Sequence, residues 1–154
     1  MIGGSAVQFY GVPRVTFDSD CAILDRDEPR LRSALGRLGY ILDDHRSTFT
    51  RYRHLTNRRP LVDAMRLDAS TLAKLWSRSK LVKILGWDVR VPAPLHLIAM
   101  KLHALKQQPD REYKDWEDVQ FLIDHHSDSW TPEDFSEIVE RYASAKFAER
   151  LRSR

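Results

Sequence analysis

Cysteine is nearly absent from this chain: Cys21 stands alone among 154 residues, so no internal disulfide can form and a reducing compartment is expected. No run of eighteen apolar residues occurs, which argues against a membrane-spanning helix and leaves no membrane partner to expect. The first residues lack the basic-then-apolar layout of a signal peptide, so the expected location is cytoplasmic. Internal repeats, low-complexity tracts and linker-like stretches are missing as well. What remains is ordinary globular composition, 42% apolar and 31% charged. The length fits a single domain over residues 1–154, with a sheet-bearing part at 1–92 and helices at 93–154. A net charge of +3 and a pI near 9.1 are mildly basic, compatible with nucleotides or nucleic acid without demanding either.

Two short stretches stand out against that background. Gly3-Gly4-Ser5 reads as a turn ahead of a short helix from Ala6 to Tyr10, stopped at Gly11-Val12-Pro13. Glycines in such a place let backbone N–H groups approach phosphate oxygens, with Ser5 adding a hydroxyl and Arg14 or Thr16 lying near the same pocket. The run from Val15 to Leu24 reads as a strand. Its period of two would set Asp18 and Asp20 on one face, with Phe17, Ser19, Cys21 and Ile23 on the other. Two carboxylates side by side repel unless a divalent cation lies between them; solvated acids at a strand end are the plainer alternative.

Further along, Leu31, Ala34, Leu35 and Leu38 mark a helix that covers a sheet, and Tyr40 to Leu42 a short strand before a polar loop at Asp43–Thr48. Phe49–Leu55 and Leu61–Leu67 read as a hairpin through Asn57-Arg58-Arg59-Pro60. Asp63 interrupts the apolar second strand. A buried unpaired carboxylate would cost several kcal/mol, so Asp63 must meet either Arg51 or Arg53 of the neighbouring strand, or a cation shared with Asp18 and Asp20. A helix with Ser70 as its cap follows, then strands at Lys80–Leu85 and Trp87–Val91. The helix from Leu95 to Leu105 is apolar almost all round and therefore buried. Lys101, inside it, either snorkels to solvent or delivers its ammonium into a polar cleft. After a polar loop at Gln107–Tyr113, a helix over Lys114–Ile123 places Asp115 and Asp118 where acids favour the helix dipole. A last helix runs from Pro132 to about Arg150, with a basic tail to Arg154.

Taken in order, Gly3-Gly4-Ser5, Arg14-x-Thr16-x-Asp18-x-Asp20 and Asp63 resemble the DNA polymerase β-type nucleotidyltransferase superfamily. The block Val91-Pro92-Ala93-Pro94 through Leu105, followed by Lys114-Asp115-x-x-Asp118, is similar to the AbiEii/AbiGii-type nucleotidyltransferases, known as bacterial toxin components. The resemblance spans roughly Gly3 to Ile123 and implies an α/β (α+β) fold, a mixed sheet with flanking helices. It implies metal-dependent transfer of a nucleotidyl group from a nucleoside triphosphate to a hydroxyl of an RNA such as tRNA, or of a protein, in a toxin–antitoxin or phage-defence setting. Asp18 and Asp20 would bind two Mg²⁺ ions. Asp63 would join the metal and help deprotonate the acceptor. Gly3, Gly4 and Ser5 would cradle the triphosphate, Lys101 would offset its charge, and Asp115 would hold Lys101 or the acceptor. Members carry a helix and a strand ahead of the glycines where this chain has only Met1-Ile2. A truncated start is therefore expected, or a sheet edge completed by an antitoxin or a second copy. The alternatives are a catalytically inert binding or antitoxin-like module, and a small-molecule nucleotidyltransferase of the aminoglycoside-modifying type.

Overall fold

Four strands pair into one mixed sheet, in the order β1 (Ser19–Leu24), β4 (Val62–Leu67), β3 (Phe49–His54), β2 (Tyr40–His45). β1 runs parallel to β4, and the other two pairings are antiparallel. The computed structural model describes residues 1–108, 110 and 112–153. Pro109, Arg111 and Arg154 fall outside them, and with them part of the expected loop at 107–113 and the end of the expected basic tail. Two compact units form, Met1–Gln8 with Pro13–Pro92, and Phe9–Val12 with Ala93–Arg154.

In the first unit, the parallel pairing of β1 and β4 needs a crossover, and α2 (Glu28–Arg37) provides it. Leu31 and Leu35 of this helix pack on Cys21, Ile23, Tyr40, Tyr52, Val62 and Ala64, the apolar face of the sheet. Because strand side chains alternate, Asp20, Asp63 and Arg51 fall on the opposite face. Charge also enters beneath α2. Tyr52 is buried, and its hydroxyl donates to Glu28 Oε1 at 2.6 Å, an oxygen that also accepts from Arg32 at 2.9 Å. Burial first, and the bond to Glu28 second, push the Tyr52 phenol up to about 12. The neutral phenol is favoured in the fold, so its contribution is complete below the unfolded value of about 10 and fades as pH rises toward the folded one. Ultraviolet titration of the tyrosines is expected to contain a late tyrosinate component that Tyr52→Phe removes. The same substitution leaves Glu28 short of a donor and should cost about 1–3 kcal/mol.

Several boundaries differ from the sequence expectation. β1 starts at Ser19, where the Ser19 N–H donates to Leu61 O at 2.8 Å, and not at Val15. Asp18 therefore precedes the strand. Val15 and Phe17, at 72% and 80% exposure, do not join Cys21 and Ile23 inside. α1 opens at Gly3 itself and runs to Phe9. β2 continues through Asp43 and Asp44 to His45 where a loop was expected, since an edge strand tolerates acids on its open side. The cap of α3 (Ala69–Ser77) is Asp68, whose carboxylate accepts from the Thr71 N–H at 2.9 Å, rather than Ser70. β5 (Lys80–Ile84) and β6 (Trp87–Val91) form a separate hairpin, turning at Leu85 and Gly86 with positive φ of 51° and 83°.

The second unit holds α4 (Pro94–Gln107), α5 (Glu112–His126), α6 (Pro132–Tyr142) and α7 (Ala145–Arg152). The single last helix expected from Pro132 to Arg150 is thus two, broken at Ala143-Ser144. Phe147 of α7 stacks on Trp116 of α5 at 5.0 Å between ring centroids, and Arg150 lies over the Trp116 ring at 4.4 Å while binding Glu112 at 2.6 Å. These contacts need α7 to turn back along α5, which a continuous helix would prevent. No helix among the described residues is long and apolar enough to cross a membrane.

Candidate active site

Residues 12–20 alternate in exposure although only the last two are in β1. Val12, Arg14, Thr16, Asp18 and Asp20 are more covered than Pro13, Val15, Phe17 and Ser19 between them. The start of α1 faces the covered side. The Gly4 N–H donates to Asp20 Oδ2 at 3.1 Å. A Cβ on Gly3 would lie 2.2 Å from that same oxygen, and one on Gly4 would lie 2.6 Å from Thr16 Oγ1 and 3.2 Å from a guanidinium nitrogen of Arg14. Gly3 also has φ +59°, in the left-handed region. Both glycines are thus required by close approach, Gly3 by its backbone as well. Gly3, Gly4, Arg14 and Thr16, read from the sequence with Ser5 as one pocket, are neighbours, and Asp20 lies among them. The Gly4 N–H is engaged by a carboxylate of the chain itself.

Asp20 and Asp63 sit directly opposite one another in the parallel register of β1 and β4. Asp63 is buried, and both its oxygens accept from Arg51, Oδ1 from Nε at 2.8 Å and Oδ2 from Nη2 at 2.7 Å. Arg51 is its cross-strand partner on β3. The bidentate bond to Asp63 first, with Asp18 and Asp43 among the further negative charges, holds the guanidinium charged well above its usual range. Of the two partners considered for Asp63, the side chain meets the arginine.

A cleft of about 660 Å³ is lined by Ser5, Gln8, Thr16, Asp18 and Ser19 together with Asn57, Arg58 and Arg59. Arg58 and Arg59 were read from the sequence only as part of a turn; the signal of their place in the cleft was two adjacent cations between the strands carrying Arg51 and Asp63. A larger hollow, about 760 Å³ along α2, holds none of the expected site residues.

Among the described residues no three His, Cys, Asp or Glu side chains are grouped to hold a metal ion. Asp18 and Asp20 nonetheless fit a hard divalent cation in donor chemistry. Mg²⁺ is often held by one or two carboxylates, with phosphate oxygens and water completing its shell. Lys101 and Asp115 lie in the second unit. The Lys101 ammonium is buried there, 2.6 Å from Asp115 and 2.6 Å from Asp118, so it neither snorkels nor reaches an open cleft. Asp118, read from the sequence as a dipole-favouring acid, is one of its two partners.

No family model matches the sequence, and no curated protein does. Solved structures do resemble it. The antibiotic-resistance factor ANT(2'')-Ia in solution superposes with a TM-score of 0.64 at 15% identity, covering 99% of this chain and 82% of that one. The crystal structure of ANT(2'')-Ia in complex with adenylyl-2''-tobramycin gives 0.69 at 16% identity, covering 92% and 87%. The chain has the nucleotidyltransferase fold. A nucleotidyltransferase-like protein from Paracoccidioides brasiliensis, an antigen, gives 0.51 at 17% identity, covering 97% and 82%. In this nucleotidyltransferase fold the glycines, Asp20 and Asp63 lie around one end of the parallel β1–β4 pair.

Proposed function

We propose that the protein is a nucleotidyltransferase: an acceptor hydroxyl oxygen bonds to the α-phosphorus of a nucleoside triphosphate, the bond to pyrophosphate breaks, and the hydroxyl proton passes to solvent. The observation that carries the reading is the Gly3-Gly4 start of α1 pressed on Asp20, with Asp18 two residues before it in the lining of a cleft shared with Ser5, Thr16, Arg58 and Arg59. Asp18 and Asp20 would hold a divalent cation, which when bound supplies charge to stabilise the attacking and leaving oxygens. Arg58 and Arg59 place positive charge where phosphate oxygens would lie, and Ser5 and Thr16 supply hydroxyl donors. The Gly4 N–H fixes the Asp20 carboxylate, and the missing side chain at Gly4 lets α1 lie close against Thr16 and Arg14.

The acceptor is an RNA such as tRNA, a protein, or a small molecule. The neighbour seen with adenylyl-2''-tobramycin supports adding the last class to any test. A toxin or phage-defence setting belongs to the same reading, on the strength of the Val91–Leu105 block and its Lys114-Asp115-x-x-Asp118 sequel. The protein with Mg²⁺ and each of four labelled nucleoside triphosphates, offered total RNA, lysate protein and tobramycin, is expected to transfer label to one acceptor class and to release pyrophosphate. Absence of transfer to all three would favour the second reading, an inert binding module. The Arg51–Asp63 pair favours that one, since it occupies the third acid.

A further inference from the structure

We propose that Asp63 is an anchor and not a cation ligand, and that the Arg51 it holds is a further residue that binds the triphosphate of the incoming nucleotide. The inference rests on the nucleotidyltransferase reading and names how the same site takes its polyphosphate. Three observations carry it. The pair is bidentate, with one N–H from Nε and one from Nη2 on the two oxygens of Asp63, which leaves three of the five guanidinium donors directed elsewhere. Burial is one-sided: the Asp63 side chain is 9% exposed and that of Arg51 36%, so the acid is enclosed while the arginine is partly open to solvent. Across the sheet face the order is Asp20 on β1, Asp63 on β4 and Arg51 on β3, all in direct register. Arg51 thus stands two strands, roughly 10 Å, from Asp20.

A pair serving packing alone would have no need of an arginine partly exposed on the face that carries Asp20. Each Asp63 oxygen already accepts from Arg51 and the side chain is only 9% exposed, so little of the carboxylate is open to a cation. A rigid, planar arginine held from behind meets the requirement of phosphate recognition, in which geometry is fixed before the anion arrives. The charges are also ordered for it: a cation at Asp18 and Asp20 and the guanidinium of Arg51 would flank a polyanion from two sides.

The test measures binding, without turnover, on the full chain. Mn²⁺ titration followed by electron paramagnetic resonance reads the cation, and calorimetry with inorganic tripolyphosphate reads the anion. Asp63→Asn is expected to leave Mn²⁺ affinity within about twofold, whereas Asp18→Asn abolishes it. Arg51→Lys keeps the charge but loses the fork, and is expected to weaken tripolyphosphate at least about tenfold. Arg51→Gln should match it, and thermal melting of each variant establishes that it is folded. If Asp63→Asn weakens Mn²⁺ tenfold or more, or Arg51→Lys leaves tripolyphosphate unchanged, the anchor is refuted and the three-carboxylate arrangement restored. Wild-type protein that binds neither probe would overturn the transfer reading as well, an outcome distinct from either variant result.

Discussion

Asp18→Asn is expected to reduce nucleotidyl transfer at least about a hundredfold while leaving the thermal midpoint within a degree or two. The two halves of this expectation come from different facts. Asp18 lies before β1, partly exposed, in a segment whose neighbours Phe17 and Ser19 are open to solvent, so its charge supports little of the fold. It also lines the cleft with Ser5, Thr16, Arg58 and Arg59. Losing a carboxylate that holds a divalent cation removes on the order of 3 kcal/mol of transition-state stabilisation, which is about a hundredfold in rate. Asp20 is a less clean probe. Its Oδ2 accepts from the Gly4 N–H and fills the space a Gly3 Cβ would need, so a change there disturbs the packing of α1 as well as the site. Label transfer at saturating Mg²⁺, read beside a melting curve, checks both halves. Equal activity in wild type and Asp18→Asn would remove the chemical role of the segment and with it the proposed function.

The reason Asp18 could be chosen from sequence, although its strand could not be bounded, is instructive. Alternation between covered and exposed side chains is a property of extended backbone, and the segment from Val12 to Asp20 has it whether or not a neighbour supplies hydrogen bonds. The bounds of β1 depend instead on where β4 begins, more than forty residues later, and nothing local encodes that. The hairpin of β3 and β4 and the pairing of Asp63 with an arginine of β3 were legible because β3 alternates, β4 is an apolar run broken by one acid, and the turn between them carries Asn and Pro. Which donor Asp63 would take was not, since two arginines were available. Arg53 instead pairs with Asp43 at 3.0 Å, on a strand the sequence ended one residue too early to include it. Asp118 was misread for the same reason as the break between α6 and α7: each is fixed by a partner from another helix. A dipole argument explained Asp118 well enough that no distant cation was sought.

Lys101→Met is expected to destabilise the fold by about 3–5 kcal/mol, the largest stability effect of any single change considered. Methionine matches the length of the lysine stem and suits the apolar surroundings on α4, so packing is nearly conserved and the effect isolates the charge. What the substitution leaves behind is two buried carboxylates, Asp115 at 0% exposure and Asp118 at 2%, deprived of an ammonium that lay 2.6 Å from each. Removing one partner from a buried ionic cluster costs far more than the cluster contributes, because the remaining charges keep their desolvation penalty. It follows that combining Lys101→Met with Asp115→Asn and Asp118→Asn should recover a large part of the loss, a non-additivity that independent sites would not show. Urea unfolding of the wild type, the single variant and the triple variant measures this directly. The outcome also bears on chemistry. If Lys101→Met unfolds the second unit and the triple variant restores it along with transfer activity, the ammonium serves to join α4 to α5. A loss below about 1 kcal/mol, with transfer nonetheless abolished, would return Lys101 to the role the family resemblance implied, as a counter-charge for the triphosphate.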